Sequence, residues 1–248
     1  MGSLQGQNVV VVGGSRGVGR SIVEAALSEG ATVLAVARGA AALKLLSWEK
    51  PGAKTLAVDA TKDSAPDAVF DALEPDVLVI CAGALAPSAP LQEQTWEIFS
   101  ANWEMDVKAS FLFCRAALQG RLKPGSRVVL ISSGAALSGG PPFAGGYAGA
   151  KRMQMFLAGH CQKESDRLGL DLRFMALAPA RIMPGTGVGE AGVDGFAAYL
   201  GIRPADVLAS MTDMQTPADV GRAVVELATG KPQGSSFVVS GSGLAAAA

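Results

Sequence analysis

Tyr147 and Lys151 stand four positions apart in a stretch that reads as helix, so their side chains share one face. The chain holds only two tyrosines. A phenol ordinarily titrates at about 10 and is a poor base at neutral pH, but a nearby ammonium favours the phenolate. Such a pair can give a proton to a carbonyl oxygen or take one from an alcohol. A pair at this spacing also arises by chance on amphipathic helices. Ser132 and Ser133 close the apolar run Arg127–Ile131, where a strand of an open α/β sheet would meet its ligand. Either serine would equally serve as a cap on the strand exit. Gly13-Gly14-Ser15-Arg16-Gly17-Val18-Gly19 follows the β-branched run Asn8–Val12 and opens an amphipathic stretch. Glycine there permits a tight turn and lets backbone approach a pyrophosphate, and the helix behind it offers free N–H groups.

These residues need a frame that brings them to one edge. Apolar runs at Asn8–Val12, Thr32–Ala37, Thr55–Val58, Val77–Ile80, Arg127–Ser132, Asp171–Ala178 and Ser236–Val239 read as strands. Helical stretches alternate with them: Arg16–Glu29, Ala40–Trp48, Ala65–Leu73, an interrupted one at Thr95–Leu122, Tyr147–Leu168 and Pro217–Thr229. Strands buried on both faces and joined by helices imply a doubly wound parallel sheet in an α/β fold. No shift in composition divides the chain, so residues 1–248 read as a single domain. Pro184–Met214, rich in glycine and small residues, reads as a long substrate loop or lid. Met1–Ser3 and Ala245–Ala248 read as frayed ends.

Composition excludes several classes. With 49% hydrophobic and 17% charged residues, the chain can bury a large core and is not disordered in bulk. A net charge of −1 gives no basic field for nucleic acid or an anionic membrane. Cys81, Cys114 and Cys161 lack metal-ligand spacing, and His160 is the lone histidine, so no metal is expected. His160 falls mid-helix and reads as structural or as a subunit contact. No apolar run reaches the roughly 18–20 residues of a membrane span, and the start lacks the pattern of a signal peptide. A cytoplasmic protein is the expectation.

The G-x3-G-x-G turn, the strand-end serine and Tyr-x3-Lys, in that order and over nearly the whole chain, resemble the classical short-chain dehydrogenase/reductase family. The resemblance implies a Rossmann fold. It implies Tyr147 as acid/base, Lys151 as the residue that tunes it and binds the nicotinamide ribose, and Ser133 as the holder of the substrate oxygen. It further implies that Gly13, Ser15, Arg16, Gly17, Val18 and Gly19 line the cofactor, with Arg38, Asp59, Ala60, Ala82, Gly83, Pro179 and Ile182. Asp59 matches the family's adenine-contacting Asp, and a cap near Thr61 is an equal reading.

The sequence departs from the family at several places. The family's catalytic Asn, five positions before an aromatic in the long middle helix, matches Asp106 when Phe111 is the aromatic. Asn102, one turn earlier, is the rival. An ionised Asp accepts hydrogen bonds but donates none, and its charge would raise the pKa of Lys151. Val12 replaces the usual Thr, and Ile80-Cys81-Ala82-Gly83 replaces Asn-Asn-Ala-Gly. Cys81 reads as a buried filler. Pro179-Ala180-Arg181-Ile182 keeps most of the next motif, with Pro184 where a Thr is usual and Thr186 as its substitute.

NAD-dependent members hold the ribose with an acid at the end of the second strand. That end is Val36-Ala37-Arg38 here, and Arg16 lies in the glycine turn. Two guanidinium groups suit a 2′-phosphate, so NADP(H) is the expected cofactor. Pocket walls at Ala84–Pro90, Ala135–Phe143, Met183 and Pro184–Met214, with Met211 and Met214 as bulky points, suit a neutral carbonyl or alcohol. Arg181 and Arg203 read as solvated. The expected function is an NADP(H)-dependent oxidoreductase interconverting a carbonyl and an alcohol. Alternatives are a non-catalytic cofactor-binding regulatory protein of this fold, or an epimerase or dehydratase. Phe111–Ala117 and Met153–Leu157 are apolar enough to pair helices in a homodimer or homotetramer, or to be buried in one subunit.

Overall fold

Val9, Val10, Val11 and Val12 are all buried because the strand they form is covered on both faces. A computed structural model describes residues 2–85, 87–138, 140–230 and 232–247. Strands β1 (Asn8–Val12), β2 (Thr32–Ala37), β3 (Ala53–Ala57), β4 (Val77–Ile80), β5 (Arg127–Ile131), β6 (Arg173–Pro179), β7 (Ser236–Ser240) and β8 (Gly243–Ala246) form one sheet. Its order is β3-β2-β1-β4-β5-β6-β7-β8. All pairs are parallel except β7 with β8. Val12 pairs with Val36 on one side and Ile80 on the other, so the strand order reverses between β1 and β4. A crevice at the carboxyl ends of the strands opens at such a reversal.

The helices are α1 (Gly17–Ser28), α2 (Ala40–Glu49), α3 (Ala65–Ala72), α4 (Trp96–Asn102), α5 (Lys108–Ala116), α6 (Ala135–Ser138), α7 (Gly145–Leu168), α8 (Gly187–Leu200), α9 (Pro204–Ala209) and α10 (Pro217–Thr229). On one sheet face Ile22, Leu46, Val220 and Leu227 pack on Val9, Val11, Val129 and Leu177. On the other Phe70, Phe113, Ala158 and Cys161 pack on Val10, Leu78, Leu130 and Phe174. The interrupted middle helix is α4 and α5 joined by a π-helical turn, Trp103–Val107. Wide turns of this kind recur at functional sites.

Three sequence expectations need correction. Pro184–Met214 is largely helical, in α8 and α9. Its glycines lower helix propensity, which hides the helix from composition. Packing demands them: a Cβ at Gly189 would fall 1.8 Å from the Met183 carbonyl oxygen, and one at Gly195 would fall 2.7 Å from the Phe143 ring. The end of the chain does not fray as a whole, because Gly243–Ala246 pairs with β7. Backbone pairing of this kind leaves no trace in an alanine-rich composition. Near the start, the Ser3 backbone N–H and hydroxyl donate to Glu29 at 2.7 and 2.9 Å. The sixth strand also begins later than its apolar pattern suggests, since Asp171 sits at φ 52°, outside the extended region.

Candidate active site

The parallel sheet brings the ends of β1, β4, β5 and β6 to one edge. The turn after β1 crosses β4 closely: a Cβ at Gly13, whose φ is +92°, would lie 2.5 Å from the Ala82 nitrogen. Its backbone is fixed by Gly13 and Gly14 N–H groups donating to the Val36 carbonyl at 2.7 and 3.1 Å. No side chain caps α1 at Arg16, and no acid occupies its first turn. Its opening N–H groups and partial positive charge are therefore left for an anion. Val18 is half-buried against the core, and Gly19 is buried beneath the turn. Thr186 faces Gly17 from α8 at about 3.9 Å from a built Cβ. These features fit a dinucleotide lying across the turn.

Tyr147 and Lys151 lie in the first two turns of α7. The Lys151 Nζ is 5.8 Å from the centre of the Tyr147 ring. Lys151 is buried, with three oxygens around its ammonium. It donates to the Ile131 carbonyl and to Gln154 Oε1, each at 3.0 Å. Asp106 Oδ2 is also 3.0 Å away, as an ion pair. That oxygen has no aligned hydrogen-bond donor among the described residues, so Asp106 acts on the lysine mainly by charge. Burial works against the Lys151 charge. The Asp106 carboxylate, with a smaller contribution from Tyr147, more than offsets it and holds Lys151 above the ordinary lysine range.

Asp106 is fully buried in the π-helical turn. Its Oδ1 accepts from the Ala84 N–H at 2.8 Å and from Asn102 Nδ2 at 3.4 Å. Asn102 Nδ2 also reaches the Ala84 carbonyl at 3.0 Å. Both rivals for the family's Asn therefore meet the backbone after β4, but only Asp106 touches the lysine. Gly83 explains the approach, since a Cβ there would lie 3.0 Å from Asp106 Oδ2. Sequence reasoning missed Gln154 and Ser110. Gln154 Nε2 donates to Ser110 Oγ, and Ser110 Oγ donates to the Asp106 carbonyl, both at 2.8 Å. A polar residue three after Lys151, on its inward face, was the available signal.

The two serines separate cleanly. Ser132 is buried and donates to the Lys151 carbonyl at 2.7 Å, tying β5 to α7. Ser133 is partly exposed, and among the described residues its Oγ accepts a 3.3 Å bond from the Ala135 N–H and donates none. Its hydrogen remains free for a ligand oxygen. Cys81 is partly exposed as a residue, but burial of its sulfur pushes the thiol up to about 11, as suits a filler.

Toward the far end of the site, Arg16 and Arg38 are both exposed, with no ion-pair partner among the described residues. Asp59 accepts from the Thr61 N–H and hydroxyl at 3.1 and 2.8 Å, which with the nearby Arg38 charge holds its carboxyl below the usual range. Ala60 is buried beside it. Pro179 ends β6, and its carbonyl accepts from the Gly134 N–H at 2.7 Å. Gln215 is buried and takes the Arg181 N–H at 3.0 Å, which fixes the segment leading to Ile182. The Thr186 hydroxyl is engaged as the α8 cap: it donates to the Met183 carbonyl at 2.8 Å and accepts from Gly189 N–H at 3.0 Å. One lone pair is left, and no proton to donate elsewhere.

Of the expected walls, Ala86 and Gly139 lie outside the described residues. Phe143 is buried and meets Phe196 and Tyr199 of α8 at 5.0 and 5.7 Å between ring centres. Met211 packs on Val193 and Ala197 of α8. So α8 covers this end of the crevice. Cavities of about 420 and 320 Å³ lie elsewhere, one at the opposite edge beside Arg127 and Arg173, the other between α2 and β3. A large cavity is the usual pointer to a site. Here the convergent chemistry outweighs it, since neither cavity is lined by Tyr147, Lys151, Ser133 or Asp106.

A family model described as short chain dehydrogenase matches residues 7–190, and the chain belongs to that family. It is similar to L-xylulose reductase of Bos taurus, 30% identical over 129 residues, which are 52% of this chain and 53% of that protein. L-xylulose reductase of Homo sapiens is 31% identical over 132 residues, 52% of this chain and 54% of that protein. Carbonyl reductase [NADPH] 2 of Sus scrofa is 28% identical over 134 residues, 53% of this chain and 54% of that protein. The chain spans about half the length of the curated relatives it matches. No helix among the described residues is long and apolar enough to cross a membrane.

Breaking the buried pair leaves an uncompensated charge, so Asp106→Leu is expected to cost about 3–5 kcal/mol in urea unfolding. The double change Asp106→Leu with Lys151→Met should recover much of that loss. Lys151 is held above its ordinary range, so the pair's contribution is present below about pH 10 and fades as pH rises through the raised value. The wild-type protein should therefore lose stability in alkali more steeply than Asp106→Leu. Equal slopes would remove the pair from the stability of the fold.

Proposed function

We propose that the protein is an NADP(H)-dependent oxidoreductase that interconverts a carbonyl and an alcohol. The observation that carries this reading is the placement of Tyr147 and Lys151 on one face of α7, with the ammonium 5.8 Å from the ring. Hydride transfer is the chemistry a bound nicotinamide supplies. The chain's own part is acid–base. Tyr147 gives a proton to the carbonyl oxygen in reduction and takes it back in oxidation. Ser133, with its hydrogen uncommitted, donates to the same oxygen and polarises it. Lys151 stays charged beside them. Asp106 offsets part of that charge, and so sets how strongly the lysine acts on the phenol.

Arg16 and Arg38 support a 2′-phosphate over a free ribose hydroxyl, since no carboxylate stands at the end of β2. The covered, aromatic end of the crevice at Phe143 suits a neutral substrate. A cytoplasmic location and a homo-oligomer belong to the same proposal. All three cysteines are free thiols, as in reducing compartments. Phe156, 62% exposed and stacked on the exposed His160, and Phe111, 48% exposed, give the middle helices an apolar outer face. Leu112, Phe113 and Cys114 on the same segment turn inward instead.

Tyr147→Phe should lower turnover of a carbonyl substrate with NADPH by about 10²–10⁴-fold while NADPH binding persists. Turnover unchanged in that variant would remove the enzymatic assignment and favour the cofactor-binding regulatory reading. Arg38→Ala should weaken NADPH binding by about 10- to 150-fold, equivalent to about 1.5–3 kcal/mol, with little effect on NADH. Equal losses for both cofactors would refute the phosphate role. Phe156→Glu should shift the sedimenting species toward the monomer, and a wild-type protein that already sediments as a monomer would exclude the oligomer.

A further inference from the structure

Arg127 opens β5 and Arg173 opens β6, and the two are paired residues of neighbouring parallel strands. They stand at the amino edge of the sheet, opposite the carboxyl edge that carries the candidate active site. The cavity of about 420 Å³ beside them is also lined by Gln162 and Asp166 of α7, by Asp171 and by Gln233. Ligand pockets typically run from about 300 to 1,000 Å³. We propose that this cavity binds a phosphate group, carried by the free ion or by a small phosphomonoester, with Arg127 and Arg173 as its two guanidinium donors. The site is separate from the cofactor crevice and does not depend on the function proposed above.

Both arginines are half-buried, and neither forms an ion pair among the described residues. Two carboxylates line the same cavity, yet Asp166 and Asp171 are exposed, and Asp166 Oδ1 accepts from Gln162 Nε2 at 2.8 Å. Two like charges therefore sit side by side without a counter-charge in contact. Burial, and then the Arg173 charge beside it, hold the Arg127 guanidinium below the ordinary arginine range. A guanidinium has five N–H donors in a planar fork. Arg127 Nη2 donates to the Gly230 carbonyl at 3.0 Å. Arg173 Nη2 donates to the Pro232 carbonyl at 3.0 Å and to the Gly234 carbonyl. These bonds orient both groups along the turn between α10 and β7, but they supply no negative charge. Nε and Nη1 of both arginines make no hydrogen bond among the described residues. Such forks match phosphate oxygens bidentately. A phosphate group brings about −1.5 to −2 of charge and three acceptor oxygens, against one charge and two oxygens for a carboxylate. It therefore suits two guanidinium groups better.

The test is titration calorimetry on the full chain at constant ionic strength, with inorganic phosphate and glycerol 3-phosphate as probes and no nicotinamide present. An Arg16→Ala/Arg38→Ala background keeps the guanidinium groups near the glycine turn out of the signal. Each probe should bind saturably. Adding Arg173→Gln should weaken that binding by about 10- to 150-fold, as loss of a charged hydrogen bond implies. Asp166→Asn removes an exposed carboxylate from the lining and should tighten it, and Gln233→Glu adds one and should weaken it. Tighter binding of glycerol 3-phosphate than of phosphate supports the ester as the natural form, and equal or weaker binding supports the free ion. No saturable binding of either probe overturns the site. So does binding that folded Arg173→Gln leaves unchanged, which reduces the arginines to clamps on the turn between α10 and β7. If Arg173→Gln does not fold, binding unmoved by both Asp166→Asn and Gln233→Glu overturns the site.

Discussion

A charged pair placed where water does not reach organises the centre of this molecule. Lys151 comes from α7, Asp106 from the π-helical turn, and the Ile131 carbonyl from the end of β5. Three elements from distant parts of the chain therefore converge on one ammonium. A buried ion pair is not by itself a source of stability, because desolvation consumes much of the attraction. It does penalise every arrangement in which either partner is alone. The pair thus ties α7 at Lys151, one turn after Tyr147, to the end of β5 and the π-helical turn.

The surrounding structure accommodates that demand. Gly83 lacks the side chain that would crowd the carboxylate. Ser132 ties the Lys151 backbone to β5, and Asn102 and Asp106 together hold the backbone at Ala84. Asp106 lies buried in the widened helical turn at Trp103–Val107. The Asp106 carboxylate thus reaches beyond one residue, through Ala84, Asn102 and Lys151. Its charge is paired with the Lys151 ammonium at 3.0 Å and holds that lysine above its ordinary range.

The glycine turn after β1 is built on a different principle. There the chain withholds side chains, leaving backbone N–H groups and a helix terminus open. Arg16 within the turn and Arg38 after β2 are exposed guanidinium groups, which cost little to keep solvated. The helix α8 then covers the crevice from above, using glycines to come close to Met183 and Phe143.

Local patterns in the chain are enough to set the alternation of strands and helices, the glycine turn, and the spacing of Tyr147 and Lys151. Each depends on neighbours in the chain: apolar runs, turn residues and helical period act locally. The sequence also pointed to Asp106 over Asn102, through the distance to Phe111. It could not display α8, because glycines required by contacts with remote residues look locally like a loop. Nor could it show β8, whose pairing uses backbone atoms common to every residue. Ser132 and Ser133 were indistinguishable until the fold turned one onto Lys151 and left the other free. Gln154 and Ser110 became legible only in the tertiary structure, because hydrogen bonds between α5 and α7 join residues 44 positions apart. Which polar groups share a buried space is a property of packing, and packing is settled by the whole chain at once.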